Sequence, residues 1–343
     1  MIDRRLSAEE MVRRVRKIQS EIRTLVLAHI SQQDIESLAT VAGETSGDTI
    51  YAIDRVSEEG LLALFEREFA TDTSIILIGE GLPDNGKVIP AQVKREEAQY
   101  RIIVDPIDGT RGLMYDKRSA WILTGVAENK GEKTSLSDIF AAVQTEIPTT
   151  KQFRSDTLWA VRGQGWGAEG TNVLNGETVS IVLRPSKATS IEHGFAMISR
   201  FFPGGKTILT QIEEALVERL IGPVIPGKAR LFEDQYICSG GQFYELMVGH
   251  DRFNADLRPL LEDALKIEGK ALGICCHPYD VCTYLIAHEM GVIVEKPNGQ
   301  PLDAPLDTTS PVAWVGYGNT KLREVIGPVL KDVLHEQGLW VSN

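Results

Sequence analysis

The chain lacks a long apolar run and an excess of basic residues, and both absences exclude a class of protein. No uninterrupted apolar stretch approaches the roughly 18 residues of a membrane span, and the opening MIDRRLSAEEMVRRVRK lacks the apolar core of a signal peptide. We therefore expect a cytoplasmic protein without a membrane partner. The formal net charge of −12 and the lack of a basic footprint also argue against a nucleic-acid partner.

Cysteine is scarce as well. Four cysteines, three of them near His277 and His288, are too few and too clustered for a secreted disulfide framework. Zinc is the alternative to consider, but the adjacent Cys275 and Cys276 do not have the C-x2-C spacing of a structural zinc site. We expect buried, reduced thiols.

The patterns that are present predict a chain in which strands and helices are mixed in runs. Apolar residues at helical spacing predict an opening helix over 8–30, and further helices are predicted over 55–69, 206–220, 235–249, 279–290 and 320–336. Strands are predicted over 49–54, 74–81, 100–105, 120–127, 139–147, 157–163, 291–295 and 312–318. The glycine-rich GQGWGAEGTN (163–172) is predicted to be a turn.

Mixed runs of this kind favour a layered α+β fold over a strictly alternating parallel one. We expect two tightly packed sub-domains: an N-terminal α+β part over 1–185 and a C-terminal α/β part over 186–343.

Acidic residues stand at the ends of predicted strands or at the start of a helix. They are Asp54, Glu80, Asp105, Asp108 and Asp280. If they converge, two unit charges 4 Å apart repel by about 4 kcal/mol at an effective dielectric of 20. Several such pairs need protons or cations between them, and carboxylate oxygens suit Mg²⁺.

The stretch DPIDGT (105–110) is the most informative. Pro106 is predicted to break the strand, so that Asp105 and Asp108 face one point with the carbonyl of Ile107 beside them. The N–H groups of Gly109 and Thr110 would then form a cradle for phosphate oxygens. A simple turn is the alternative reading of any single residue.

Haloacid-dehalogenase-like phosphatases also place an aspartate motif, D-x-D-G-T, after a strand. Their first aspartate would fall two residues before Asp108, where this chain has Pro106. The spacing therefore excludes that family.

DPIDGT resembles the first signature of the inositol monophosphatase superfamily, which includes fructose-1,6-bisphosphatases and 3′-phosphoadenosine nucleotide phosphatases. IGE (78–80) resembles the family's Gly-Glu metal ligand, and PYDVCTYLIAHEMGVIVEKPNGQPLD (278–303) is similar to its second signature. There Tyr279 replaces a tryptophan and HEMGV replaces E-A-G-G. The similarity extends from about residue 10 to residue 318 and implies a layered α/β/α/β/α sandwich.

The resemblance also implies roles for individual residues. One Mg²⁺ would be held by Glu80, Asp105 and the carbonyl of Ile107, and a second by Asp105, Asp108 and Asp280. Asp54 and Thr110 would orient the attacking water, while Gly109 and Thr110 would bind phosphate through the backbone. A third, weaker metal site is left open, because Gly81 stands where the family often has a second acid.

The implied activity is that of a Mg²⁺-dependent phosphomonoesterase acting on a small phosphorylated metabolite through metal-activated water. Inositol phosphate, a sugar phosphate and a 3′-phosphonucleotide remain as substrates. The case for inositol phosphate as the substrate is weaker, because Gly273 stands about where inositol monophosphatases have a glutamate that contacts inositol. Arg111 stands where the nucleotide-phosphatase branch has the lysine of DPIDGTKG and is expected to bind substrate. A solvated arginine is the alternative reading.

Several alternatives stay open. The rival function is a metal- or phosphate-binding relative that kept the fold and lost turnover. His193 and His277 are weaker candidates for metal ligands or acids. A homodimer is also left open.

Overall fold

The structure, a computed structural model, describes residues 5–44, 49–83 and 85–340, with the backbone alone for 42–44, 49–50 and 52–59. The helices are α1 (Ala8–Ile30), α2 (Ile35–Leu38), α3 (Ala52–Phe69), α4 (Thr110–Met114), α5 (Lys206–Ile221), α6 (Ser239–Met247), α7 (Glu262–Ile267), α8 (Pro278–Val281), α9 (Tyr284–Glu289) and α10 (Thr320–Glu336). Among the described helices, none is long and apolar enough to cross a membrane.

The strands form one large sheet, one smaller sheet and a two-stranded ribbon. They are β1 (Val41–Glu44), β2 (Thr49–Tyr51), β3 (Ile75–Gly79), β4 (Lys87–Ile89), β5 (Tyr100–Asp108), β6 (Ala120–Glu128), β7 (Ile139–Ile147), β8 (Arg154–Val161), β9 (Gly165–Asn172), β10 (Thr178–Ser180), β11 (Phe195–Ile198), β12 (Asp251–Asp256), β13 (Ile293–Glu295) and β14 (Trp314–Tyr317). The large sheet has the order β10-β9-β8-β7-β6-β5-β3-β4, and the smaller one has the order β11-β12-β14-β13.

Helices cover both faces of both sheets. Helices α1 and α3 pack on the outer face of the large sheet, α6, α8 and α9 lie between the sheets, and α5 and α10 cover the far face of the smaller sheet. Three separate clusters of buried apolar side chains fill these layers. This arrangement confirms the predicted layered α/β/α/β/α sandwich.

The predicted glycine-rich turn at 163–172 is wrong. Most of this segment is β9, which pairs antiparallel with β8 along its whole length. Gly167 lies opposite Trp159, and a Cβ at Gly167 would lie 2.5 Å from the Trp159 ring. The glycine therefore makes room for an indole on the neighbouring strand, a requirement that local turn propensity does not reveal.

Two predicted strand ends are also wrong. The strand predicted over 49–54 ends at Tyr51, and residues 52–54 begin α3. Pro106 does not break its strand, because β5 continues to Asp108. Between Asp105 and Asp108 the pairing with β6 shifts register, so Pro106 occupies a bulge, where the absence of its N–H costs no ladder hydrogen bond.

The helix predicted over 279–290 is two helices, α8 and α9. The break falls at Cys282 and Thr283, where the chain contacts the large sheet. Thr283 Oγ1 donates to Gln144 Oε1 at 3.0 Å. A buried side-chain contact therefore interrupts the helical repeat that the sequence shows.

The division into two sub-domains near residue 185 stays a proposal. It is supported by the change from the large to the smaller sheet between Ser180 and Phe195.

Candidate active site

Three aspartate carboxylates meet where β5 ends. One oxygen from each of Asp105, Asp108 and Asp280 lies within 4.8 Å of the other two. The bulge in β5 allows Asp105 and Asp108 to face the same cavity, although they lie three residues apart on one strand. Asp280 arrives from the first turn of α8, in the layer between the sheets.

Asp108 is 7 % exposed and contacts the first turn of α6. The Gly240 N–H donates to Asp108 Oδ2 at 2.6 Å, and the Cys238 thiol donates to the Asp108 carbonyl at 3.2 Å. Burial raises the pKa of Asp108 to about 6, while these hydrogen bonds oppose the rise. The amide of Gly240 and the positive end of α6 therefore favour the ionised carboxylate.

Asp105 and Asp280 each accept a backbone N–H, but this does not offset their burial and the neighbouring charges. Burial raises the pKa of Asp105 well above its ordinary value, and the charges of Asp108, Glu80 and Asp280 raise it further. Burial also raises the pKa of Asp280, although its Oδ2 accepts from the His277 N–H at 2.6 Å. Each carboxylate thus raises the free energy of ionising its neighbours.

This donor set fits a hard divalent cation. The oxygens are close enough to share one ion, they are carboxylates, and their mutual repulsion would be relieved by positive charge. Glu80 lines the same cavity immediately after β3, which runs parallel to β5. The structure therefore places all four carboxylates predicted as metal ligands at one cavity. Their metal-binding role stays a prediction.

The end of β5 and the start of α4 place further predicted residues at the cavity. Ile107, Gly109 and Thr110 all line it. Thr110 Oγ1 donates to the Ile107 carbonyl at 2.8 Å. Gly109 has a φ of 94°, and a Cβ there would lie 2.9 Å from that of Cys238. Glycine is therefore required by both its backbone conformation and its close approach to Cys238.

Arg111 also lines the cavity, within α4. Its guanidinium carbon lies 5.1 Å from the centroid of the Phe202 ring and 5.5 Å from that of Tyr51. The side chain of Asp54 lies outside the described residues. Of the two histidine candidates, His277 lies beside Asp280, with 3.8 Å between Nδ1 and Oδ2, whereas His193 is exposed, and neither is among the residues that line the cavity.

The sequence patterns did not identify Arg258 and Phe201, which line the same cavity. Arg258 is 6 % exposed, pairs with Asp256 through Nε at 2.9 Å, and has its guanidinium carbon 4.5 Å from the Phe201 ring centroid. No motif marks either residue. The signal available was an arginine two residues after an aspartate in the short stretch ADLRPLL.

The comparison with solved structures supports the fold. The fructose-1,6-bisphosphatase of Leishmania major is 15 % identical with a TM-score of 0.65, and 94 % of each chain is covered. An inositol monophosphatase of Thermotoga maritima is 17 % identical with a TM-score of 0.57, covering 94 % of this chain and 97 % of that one.

SaIMPase-II, solved with bound 2′AMP, is 12 % identical with a TM-score of 0.58, covering 96 % of this chain and 98 % of that one. The same protein has also been solved with bound inositol monophosphate. No curated protein sequence matches the chain. The sequence model of the inositol monophosphatase family matches residues 8–196, more than half of the chain. The chain therefore belongs to the inositol monophosphatase family.

Proposed function

We propose that the protein is a Mg²⁺-dependent phosphomonoesterase that hydrolyses a small phosphorylated metabolite. The observation that carries this proposal is the convergence of three buried aspartate oxygens within 4.8 Å of one another, with Glu80 on the same cavity. Mg²⁺ bound there would supply the positive charge that activates a water molecule and stabilises the leaving oxygen.

The chain's own residues would bind and orient the substrate. Asp105, Asp108 and Asp280 would hold the cations together with Glu80 and the Ile107 carbonyl. The backbone of Gly109 and Thr110 lies at the edge of the cavity, where it would contact the phosphate. Thr110 and Asp54 are proposed to orient the water. Holding the reactants in one geometry is the main contribution a protein makes to phosphoryl transfer.

The cationic side chains at the cavity favour a substrate with further negative charge. Arg111 lines the cavity beside the predicted phosphate cradle, and Arg258 lines it between Asp256 and Phe201. A planar guanidinium suits a second phosphate. Because SaIMPase-II has been solved with both a nucleotide and an inositol phosphate, both classes belong in the test.

The decisive experiment measures phosphate release from inositol monophosphate, fructose 1,6-bisphosphate and 3′-phosphoadenosine nucleotides, with Mg²⁺ and with EDTA. We expect release that requires Mg²⁺, with the bisphosphorylated substrates favoured. Release that continues unchanged in EDTA would contradict the metal requirement.

The same assay tests the rival function, a relative that binds metal or phosphate without turnover. A complete absence of phosphate release, together with saturable Mg²⁺ binding measured by calorimetry, would favour that alternative.

A further inference from the structure

A second polar pocket lies on the outer face of the large sheet, between α1 and strands β8 to β10. It has a volume of about 370 Å³, within the range of small-molecule sites. Arg16, Arg23 and Glu169 supply its charged lining. None of the residues that line this pocket lines the aspartate cavity.

Arg23 is the unusual member of the pocket. It is 7 % exposed, and its guanidinium donates only to hydroxyls: Nη1 to Ser155 Oγ at 2.9 Å and Nη2 to Ser20 Oγ at 3.3 Å. In the described part of the chain no carboxylate forms an ion pair with it. Burial lowers the pKa of Arg23, although the more distant carboxylates of Glu169 and Glu146 oppose that effect. An anion in direct contact would therefore stabilise the buried guanidinium further.

Arg16 lies two helical turns before Arg23 and therefore on the same face of α1. One of its terminal nitrogens pairs with Glu169, and its guanidinium carbon lies 3.7 Å from the Trp159 ring centroid. Its Nε is buried and has no hydrogen-bond partner. Glu169 therefore forms its ion pair with Arg16, and among the described residues Arg23 has hydroxyls rather than a carboxylate in direct contact.

The rest of the lining is rich in small hydrogen-bonding groups. Thr171 and Thr178 place their hydroxyls 3.1 Å apart, and Asn172 and Thr157 also line the pocket. Donors from a helix on one side and from a sheet on the other surround a tetrahedral group better than a flat one. Guanidinium groups bind phosphate and sulfate oxygens through two parallel hydrogen bonds.

We propose that this pocket binds the phosphate or sulfate group of a small metabolite, at a site separate from the aspartate cavity. Arg23 supplies the charge, and the threonine hydroxyls complete the contacts.

The experiment is isothermal titration of the full chain with inorganic phosphate in EDTA, which keeps divalent cations away from the aspartates. Parallel titrations with sulfate and with acetate separate the two tetrahedral anions from each other and from a flat one. We expect one saturable site per chain for phosphate or sulfate and much weaker binding of acetate. Arg23→Gln should weaken binding roughly tenfold or more, because it removes a charge-assisted contact.

Two matched variants locate the site. Arg13→Gln makes the same charge change on α1 at an exposed arginine that pairs with Glu10, and should leave the affinity unchanged. Arg111→Gln reports on binding at the aspartate cavity and should also have no effect in EDTA. Three results would each overturn the proposal. The first is equal affinity of Arg23→Gln and Arg13→Gln, and the second is loss of binding in Arg111→Gln alone. The third is no saturable binding of either tetrahedral anion.

Thr171→Val keeps the test decisive if Arg23→Gln does not fold. It removes one hydroxyl without changing the charge and should weaken phosphate or sulfate binding about fivefold. An unchanged affinity of Thr171→Val would count against the proposal.

Discussion

Two opposing effects act on the ionisation of Asp108, and its ionisation sets part of the charge that the cavity presents to a ligand. Burial favours the neutral acid, whereas the Gly240 N–H and the first turn of α6 favour the carboxylate. Its pKa of about 6 leaves it largely ionised at neutral pH. The neighbouring aspartates, with pKa values raised well above the ordinary range, remain the groups that most need a cation.

We expect Asp108→Asn to lower kcat by at least about 10²–10³-fold, because it removes a ligand charge while keeping the side-chain volume. The fold should persist, since the amide oxygen can still accept from Gly240, and circular dichroism would check this. Asp332→Asn, an exposed site on α10, is the control for the same charge change. A variant at position 108 that retains most of its activity would refute the metal-ligand assignment.

Arg111→Ala should raise KM for a bisphosphorylated substrate about tenfold and leave kcat nearly unchanged. The reason is that Arg111 lies at the edge of the cavity, so its loss removes binding remote from the reacting phosphate. Steady-state kinetics on paired mono- and bisphosphates would measure this. Equal losses for both substrates would show that Arg111 does not recognise a second phosphate.

Among the individual residues of the site, the sequence predicts those that lie in one short motif. Asp105 and Asp108 are three residues apart, so the local chain alone brings them together. Gly240 reaches the Asp108 carboxylate from α6, and Arg258 reaches the cavity from the segment after β12. No local spacing in the sequence encodes either approach. Tertiary packing decides their place, which is why they were missed.

Secondary elements were predicted best where hydrophobic periodicity was strong and uninterrupted. The ranges 139–147 and 320–336 match β7 and α10 from end to end. Prediction failed where a distant contact overrides local propensity, as for β9, whose Gly167 accommodates Trp159, and for the break between α8 and α9.

Asn319 is the N-cap of α10 and also links this helix to the 186–188 segment. Asn319 Oδ1 accepts from the Leu322 N–H at 3.0 Å, while its amide donates to the carbonyls of Ser186 and Ala188 at 2.8 and 2.9 Å. We expect Asn319→Ala to lower the free energy of unfolding by about 2–3 kcal/mol, roughly one for the cap and one for each carbonyl. Urea denaturation would measure the change.

Two variants separate these contributions. Asn319→Ser keeps an N-capping oxygen and loses the amide donors, so it should cost less than Asn319→Ala. Ser7→Ala removes a cap of α1 that accepts only from the Glu10 N–H and should cost about 1 kcal/mol. If Asn319→Ala costs no more than Ser7→Ala, the tie to the 186–188 segment does not stabilise the fold.

For the molecule as a whole, the aspartate cavity should make stability depend on both pH and Mg²⁺. The folded state raises the pKa of Asp105, Asp108 and Asp280 above the unfolded value near 4, so it holds their protons more tightly. Their contribution is complete below pH 4 and is lost as pH rises through the folded pKa, which is about 6 for Asp108. For Asp108 alone the loss is about 3 kcal/mol.

Thermal melts in EDTA should therefore show a lower Tm at pH 7.5 than at pH 5, and Mg²⁺ should raise the Tm more at pH 7.5. Glu213 and Asp251, with pKa values raised to about 7 and about 6, act in the same direction. Asp108→Asn isolates the share of Asp108, because it should reduce the pH dependence and leave the shares of Asp105, Asp280, Glu213 and Asp251. The assignment would be contradicted if, in EDTA, the Tm of the wild type and the Tm of Asp108→Asn changed equally between pH 5 and pH 7.5.

Asp105 and Asp108 belong to β5, whereas Asp280 belongs to α8 in the last quarter of the chain. During synthesis, a ribosome delivers the first two carboxylates long before the third. If the three carboxylates hold the cation as proposed, the nascent chain carries an incomplete ligand set until α8 is made, and strong cation binding would require α8 to pack against β5 and β6. Metal uptake would then mark completed folding, so truncated translation products would remain inactive.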